Sequence, residues 1–349
     1  MFSQGLIHTF KRYNTLRSHH VTVLPIVILM PHSACNCRCV MCDIWKGNAN
    51  KKQLTLEDVQ ALLVSLKKLD SRRVLMSGGE ALLNPHFFEF CRILKQNGIK
   101  VSLLSTGLTL ERHAGSIIDL VDEVIVSLDG DEMLHDEIRN IKGAFSALAR
   151  GVRKIKELDA SFRISARSVI HRLNYRKWTQ IVESARAMQL DRISFLPADV
   201  TSEAFNREQL WDKTKQESVL VPADELPDLE LVLNQILSTF RDDFESGFIA
   251  ESPEKLNKIL QYYRAHHGID DFPEKKCNAP WVSAVVEADG SVRPCFFHDI
   301  IGNVRDEQLY KILNTTQSVV YRKNLDVNKN ETCKRCVCYL NLQARNSSY

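Results

Sequence analysis

The sequence has few of the features that mark membrane-spanning or nucleic-acid-binding proteins. Apart from the run from Val21 to Met30, no segment approaches the roughly 20 apolar residues needed to cross a bilayer. The 46 basic and 43 acidic residues leave a formal net charge of only +3. This balance gives no argument for a nucleic-acid partner or an anionic membrane surface. No internal repeat or low-complexity tract is present. The 44% hydrophobic content therefore predicts an ordinary globular protein.

The ten cysteines do not have the pattern of a secreted disulfide framework. Such frameworks belong to short chains, and here seven cysteines fall into two groups with the spacing of metal ligands. A reducing cytoplasm is the predicted location. The apolar run after the basic N-terminal residues could be mistaken for a signal peptide, but Pro25 interrupts it and cleavage there would destroy the first cysteine group. A buried first strand is the favoured interpretation. The two groups are Cys35, Cys39 and Cys42, and Cys277, Cys295, Cys333 and Cys336.

Short β-branched or apolar runs alternate with longer amphipathic segments between Pro25 and Pro197. Six such units predict a parallel sheet with helices outside it. Because a closed barrel has eight units, the predicted fold class is α/β with an open, partial (β/α)6 TIM-like barrel. The predicted strands are 26–30, 73–77, 101–105, 123–128, 163–170 and 192–196. The predicted domains are an N-terminal extension (1–24), the barrel core (25–198), a helical bridge (199–276) and a small cysteine-rich domain (277–349).

The first cysteine group is predicted to hold an iron-sulfur cluster. A cubane cluster has four irons, so three thiolates leave one iron open to a ligand from outside the protein. A structural zinc site completed by Cys37 or His32 is the alternative. The group follows the first predicted strand. In a parallel barrel, chemistry lies at the carboxyl ends of the strands.

The Cys-x3-Cys-x2-Cys spacing and the downstream segment 77–80, Ser-Gly-Gly-Glu, together resemble the radical S-adenosylmethionine (SAM) superfamily. The resemblance implies a [4Fe-4S] cluster on Cys35, Cys39 and Cys42 whose open iron binds the amine and carboxylate of SAM. It also implies reductive cleavage of SAM to a 5'-deoxyadenosyl radical, for which a flavodoxin or ferredoxin would supply the electron. In such enzymes the cofactor supplies the reactivity and the protein directs it.

The same resemblance implies a set of cofactor contacts. The turn at Gly78, Gly79 and Glu80 would hold the methionyl amine, Ser127 would touch the ribose and Leu196 would lie by the adenine. Relatives often have an aromatic residue before the last cysteine, and Met41 stands in its place here. A thioether can also pack against a ring.

Two charged patterns carry predictions of their own, apart from the resemblance. Arg163 and Arg167 share a face of the fifth strand, and a buried guanidinium needs an anion. Arg167, nearer the barrel mouth, is predicted to hold the SAM carboxylate or an acidic substrate; a salt bridge to a helix is the alternative. His135 and Arg139 lie four residues apart on one helical face, which predicts a surface pair or a loop clamp.

The C-terminal cysteines, with Gly290 ahead of Cys295, resemble the SPASM or shorter twitch domain of radical SAM enzymes. The resemblance implies one auxiliary [4Fe-4S] cluster on Cys277, Cys295, Cys333 and Cys336. A zinc ribbon is the alternative. Cys338 is left over and is a possible hydrogen donor.

The sequence thus predicts a radical SAM oxidoreductase that abstracts a substrate hydrogen and dehydrogenates a small molecule, with the auxiliary cluster accepting an electron. The first 24 residues are too few for a peptide-recognition domain, which favours a small molecule such as a sugar or cyclitol derivative. A peptide-modifying maturase or epimerase is one alternative. A non-catalytic iron-sulfur or zinc binding protein is the other.

Overall fold

A computed structural model describes residues 4–204 and 209–343. Its nine strands form one sheet in the order β6-β5-β4-β3-β2-β1-β7-β8-β9. Every neighbouring pair from β6 to β7 is parallel, and the last two pairs are antiparallel. The strands are β1 (Ile26–Leu29), β2 (Arg73–Met76), β3 (Lys100–Ser105), β4 (Glu123–Ser127), β5 (Ile164–Ile170), β6 (Arg192–Pro197), β7 (Ser283–Val286), β8 (Ser291–Arg293) and β9 (Gly302–Asn303).

The six predicted strands are confirmed as β1 to β6, and the predicted α/β fold with an open, partial barrel is confirmed with them. Within the described residues no pairing closes the sheet into a ring. Helices lie between successive parallel strands, where parallel neighbours need a crossover connection. The carboxyl ends of β1 to β6 therefore face one mouth, and the loops that carry the motifs meet there.

Helices occupy the segments between the strands and most of the stretch from 213 to 266. Thr55 and Asp58 form a reciprocal capping box at the start of α2, the arrangement that their spacing predicts. The helices are α1 (Gln4–Ser18), α2 (Leu56–Lys68), α3 (Phe87–Gln96), α4 (Leu110–Leu120), α5 (Glu132–Arg139), α6 (Ala144–Leu158), α7 (Trp178–Ala187), α8 (Lys213–Glu217), α9 (Leu226–Thr239), α10 (Arg241–Ser246), α11 (Pro253–His266), α12 (Ala279–Val282), α13 (Leu309–Ile312), α14 (Thr316–Asn324) and α15 (Glu331–Arg335). None of those described is long and apolar enough to cross a membrane.

The cysteine-rich C-terminal region is joined to the barrel sheet. Strand β7 pairs in parallel with β1, with Ile26 opposite Ser283, and β7 and β8 form the antiparallel hairpin that the Asp-Gly pair at 289–290 predicts. The N-terminal helix α1 also reaches this region, because the Arg12 side chain donates to the carbonyl oxygen of Leu342 at 2.8 Å. The second cysteine group is thereby fixed relative to the barrel mouth.

Candidate active site at the barrel mouth

A cavity of about 200 Å³ lies at the carboxyl ends of the barrel strands. It brings together the three cysteines of the first group and most of the contacts that the radical SAM resemblance implies. The side chain of Glu80 is the exception, because it is fully buried and does not line the cavity. The predicted residues that line the cavity are Cys35, Cys39, Cys42, Met41, Gly78, Gly79, Ser127, Arg167 and Leu196.

The loop that carries the cysteines is held by side chains that follow it in sequence. The Asn48 amide accepts from the backbone NH of Cys35 and donates to its carbonyl oxygen, both at 2.9 Å. The indole NH of Trp45 donates to the carbonyl oxygen of Cys42 at 2.8 Å. These bonds close the loop onto itself, so its shape does not depend on metal ligation alone.

Cys39 lies beside a buried ion pair at the cavity wall. A guanidinium NH of Arg139 donates to its sulfur at 3.5 Å, and the same guanidinium forms an ion pair with Asp129. A hydrogen bond from the Cys37 thiol, with the charge of Arg139 beside it, lowers the pKa of Cys39, whereas burial raises the pKa of Cys35 to about 12. Of these two thiols, Cys39 is therefore the more ready to ionise.

Asp129 fixes this charged group to the barrel. It follows β4 and is fully buried; its Oδ1 accepts from the backbone NH of Val169 at 3.1 Å and lies 3.4 Å from the Ser168 hydroxyl. Its own backbone NH donates to Nδ1 of His135 at 3.2 Å. His135 and Arg139 are therefore a buried clamp rather than a surface pair, and burial lowers the pKa of His135 to about 4.

The glycine turn after β2 packs directly on the cysteine loop. Gly78 has φ of +108°, which favours glycine. A Cβ on Gly79 would lie 2.1 Å from the carbonyl oxygen of Ala34, the residue before Cys35. Glu80 continues this contact through its backbone NH, which donates to the same oxygen at 2.9 Å. The two motifs are one packed unit.

We expect Gly79→Ala to lose much of the protein's iron and about 1–3 kcal/mol of unfolding free energy, because the added methyl must displace the backbone ahead of Cys35. Gly115→Ala is the matched control. Gly115 is exposed within α4, and a methyl group added there would have no neighbouring atom within 4 Å, so this change is expected to add about 0.5–1 kcal/mol. Iron analysis and anaerobic urea unfolding check both; wild-type iron and stability in Gly79→Ala would contradict the packing argument.

Arg167 and Arg163 differ in burial, although the strand pattern predicts that both are buried. Arg167 lines the cavity, donates from Nε to the Ser194 hydroxyl at 3.3 Å, and forms no ion pair within the described ranges. The salt-bridge alternative therefore finds no support there. Arg163 is not buried as predicted: its side chain is 68% exposed, 3.8 Å from Glu123. It precedes the first residue of β5, at the opposite end of the strand from the mouth.

The four C-terminal cysteines come from three separate segments. Cys277 precedes α12, Cys295 follows β8, Cys333 lies within α15 and Cys336 directly follows it. Burial raises the pKa of Cys295 to about 12 and of Cys333 to about 11, with neighbouring cysteines of the group adding to both shifts. Within the described residues, no three His, Cys, Asp or Glu side chains converge closely enough to hold a single metal ion. Ligation by these cysteines stays a prediction.

Two polar side chains contact Cys333 of the second cysteine group. Nε2 of His298 lies 3.3 Å from the sulfur of Cys333, and the buried Lys275 ammonium donates to the Cys333 carbonyl oxygen at 3.3 Å. Cys338 is exposed and does not line the cavity at the barrel mouth. The structure therefore gives the predicted hydrogen-donor role of Cys338 no support.

A second cavity, of about 310 Å³, adjoins the first. Asp199 lines both of them, while Val337 lines the first and its neighbour Cys336 lines the second. The walls of the second cavity combine Phe296 and Phe297 with charged side chains. The charged residues are Asp199, Glu203, Asp299, Glu331, Arg293 and Arg335. The two cavities thus meet at Asp199, and Cys336 of the second cysteine group lines the second of them.

Sequence comparison agrees with this arrangement. Residues 29–192 match the model of the radical SAM superfamily, and residues 277–337 match that of the SPASM iron-sulfur cluster-binding domain. The chain therefore contains a radical SAM domain over residues 29–192 and a C-terminal SPASM domain over residues 277–337.

Two relatives and one solved structure show how far the similarity extends. The chain is 25% identical to Fe-coproporphyrin III synthase of Methanosarcina barkeri (strain Fusaro / DSM 804), covering 92% of this chain and 84% of that protein. It is 21% identical to the sporulation killing factor maturation protein SkfB of Bacillus subtilis (strain 168), covering 80% and 62%. The crystal structure of Streptococcus suis SuiB bound to precursor peptide SuiA superposes with a TM-score of 0.63 at 14% identity, covering 93% and 73%; it shows a shared fold.

The family's cofactors are a [4Fe-4S] cluster with SAM and auxiliary iron-sulfur clusters, and the residues present fit the first of these. Three thiols and a glycine turn surround an open cavity. In the same wall, the buried Nε of Arg139 has no hydrogen-bond partner among the described residues. Cys35, Cys39 and Cys42 would hold the cluster, with Met41, Gly78, Gly79, Ser127, Arg167 and Leu196 around SAM.

Proposed function

We propose that the protein is a radical SAM oxidoreductase that removes two hydrogens from a small polar molecule. The observation that carries the proposal is the pair of adjoining cavities, one lined by the first cysteine group and the other by Cys336 of the second. When bound, the cluster with SAM supplies a 5'-deoxyadenosyl radical, and the auxiliary cluster supplies an electron acceptor. A reducing partner such as a flavodoxin or ferredoxin provides the first electron.

The second cavity has the size and lining of a small-molecule site. Its volume of about 310 Å³ falls in the range of such sites, which combine apolar walls with a few polar groups that fix orientation. Phe296 and Phe297 supply the apolar surface, while Asp199, Asp299 and Arg335 supply hydrogen-bonding groups. A hydroxylated substrate placed there borders Cys336 of the second group and, at Asp199, the cavity of the first group, which supports hydrogen removal followed by electron removal.

The ligand count of the second cysteine group supports electron transfer rather than substrate ligation. Four cysteines can complete a [4Fe-4S] cluster and leave no iron open. The substrate loses one hydrogen atom to the SAM-derived radical, and then one proton and one electron. The balance is one SAM consumed for each product that lacks two hydrogens.

Similarity to Fe-coproporphyrin III synthase over 92% of this chain supports a small-molecule substrate. Similarity to SkfB over 80% of the chain favours peptide modification as a second candidate. The two differ in what stimulates SAM cleavage. We therefore propose to incubate the reduced protein and SAM with a low-molecular-mass filtrate of cell extract, before and after protease digestion, and to measure 5'-deoxyadenosine.

We expect the filtrate to stimulate SAM cleavage both before and after protease digestion. Loss of this stimulation on digestion would indicate that the substrate is a peptide. With the active component purified, we expect a product two hydrogens lighter and one SAM consumed per turnover. Cys295→Ala is expected to leave SAM cleavage intact while product formation stops. Solvent deuterium on carbon in a product with an unchanged hydrogen count would instead show epimerisation and refute dehydrogenation.

A further inference from the structure

Arg139 connects the barrel to the middle cysteine of the first group through three kinds of contact. Its guanidinium donates to the sulfur of Cys39 at 3.5 Å and forms an ion pair with the fully buried Asp129. Its carbonyl oxygen accepts from the backbone NH of Arg38 at 3.0 Å, and the preceding carbonyl, of Ile138, accepts from Val40 at 3.1 Å. These backbone bonds bracket Cys39 on both sides.

The guanidinium cannot readily turn away from this position. Asp129 is itself tied to β5 through the backbone NH of Val169, and the Arg139 side chain is only 8% exposed. Helix α5 ends at Arg139, where Asn140 adopts a left-handed conformation with φ of 51°. The positive charge is therefore held beside one sulfur by rigid elements on both sides.

A fixed cation beside a ligating thiolate raises the reduction potential of a cluster. Reduction adds a negative charge to the cluster, and a nearby positive charge with an NH donor stabilises the reduced form more than the oxidised one. In a water-poor wall this electrostatic interaction is strong. A structural role for Arg139, by contrast, requires only that the loop remain folded.

We propose that Arg139 is a positioning residue that raises the reduction potential of the cluster held by Cys35, Cys39 and Cys42. Asp129 keeps its guanidinium against the Cys39 sulfur. This inference rests on the cluster site and not on the identity of the substrate. Its test therefore uses no substrate, and it can fail independently of the proposed dehydrogenation.

The experiment is an anaerobic redox titration of the holoprotein followed by electron paramagnetic resonance, using the signal that changes when SAM is added. We expect Arg139→Gln to bind iron and to be about tenfold harder to reduce, a shift of about −59 mV for one electron. Arg139→Lys keeps the charge and is expected to lie much closer to wild type. The control is Arg150→Gln, which removes an exposed ion pair with Glu111 and should leave the potential unchanged.

A wild-type potential in an iron-loaded Arg139→Gln protein would overturn the proposal. If the Gln variant does not retain iron, Arg139→Lys decides the question. Iron retention with a potential near that of wild type would support the role of the charge. Loss of iron in both variants would show that the shape of the guanidinium, and not its charge, is what the loop requires.

Discussion

Replacing Cys35, Cys39 and Cys42 together with alanine is expected to abolish SAM cleavage and to remove about half of the iron. Wild-type protein purified without oxygen should hold roughly eight irons, four in each cubane. The triple variant should retain roughly four, because the second cysteine group lies on segments that do not include residues 35–42. Iron analysis, the visible spectrum and formation of 5'-deoxyadenosine by the reduced protein check this.

Cys338→Ala is the matched control for the triple variant. Cys338 is exposed and lines neither cavity, so iron content and SAM cleavage are expected to stay at wild-type levels. About four irons and one zinc in the wild type would show that the second group is a zinc site. A colourless zinc protein would contradict the iron-sulfur assignment at both groups.

The barrel and the first cysteine group could be predicted because their signals are local. Each parallel strand is covered by helices on its outer face and by the core within, so short apolar runs such as 26–29 and 124–126 stand out between amphipathic segments. The three cysteines fall within eight consecutive residues, and their spacing carries the information by itself. Their place after a strand then puts them at the mouth of any parallel barrel.

The sequence left open whether His135 and Arg139 form a surface pair or a loop clamp, and it could not identify Cys39 as the clamp's partner, because the parts are distant in sequence. His135 and Arg139 have the same four-residue spacing whether their helix face is exposed or buried. In the structure the two side chains are buried against Asp129 and against Cys39, which lies 100 positions before Arg139. The pairing of β7 with β1 could not be predicted for the same reason. The hairpin signal at 289–290 is local, but the sequence of β7 does not indicate which strand pairs with it in parallel.

Glu80 shows that a recognised motif leaves the direction of each side chain open. The glycine turn lines the cavity as predicted, but the next side chain turns inward. There it accepts from the backbone NH of Leu82 at 3.2 Å and caps a short helical turn at Ala81–Leu83. A sequence motif fixes the order of residues and not the side to which each side chain points.

Glu80→Ala is expected to destabilise the protein by about 3 kcal/mol, because several buried donors lose their acceptor at once. Oε2 of Glu80 accepts from the Ser105 hydroxyl at 2.9 Å and from both the backbone NH and the hydroxyl of Thr106 at 2.8 Å. Burial raises the pKa of this carboxyl while these bonds lower it. The carboxylate thus joins the glycine turn to the end of β3, and its loss should also loosen the cysteine loop.

The measurement is anaerobic urea unfolding together with iron content and SAM affinity. Glu111→Ala is the control, since Glu111 is an exposed carboxylate paired with Arg150 at 3.0 Å and such surface pairs contribute about 0–1 kcal/mol. Glu80→Gln should fall between the two, because its amide keeps one acceptor oxygen but turns a donor toward the donors of Ser105 and Thr106. Loss of SAM affinity with unchanged stability in Glu80→Ala would restore the direct cofactor contact that the motif predicts, and would show that the buried network is not what holds the turn in place.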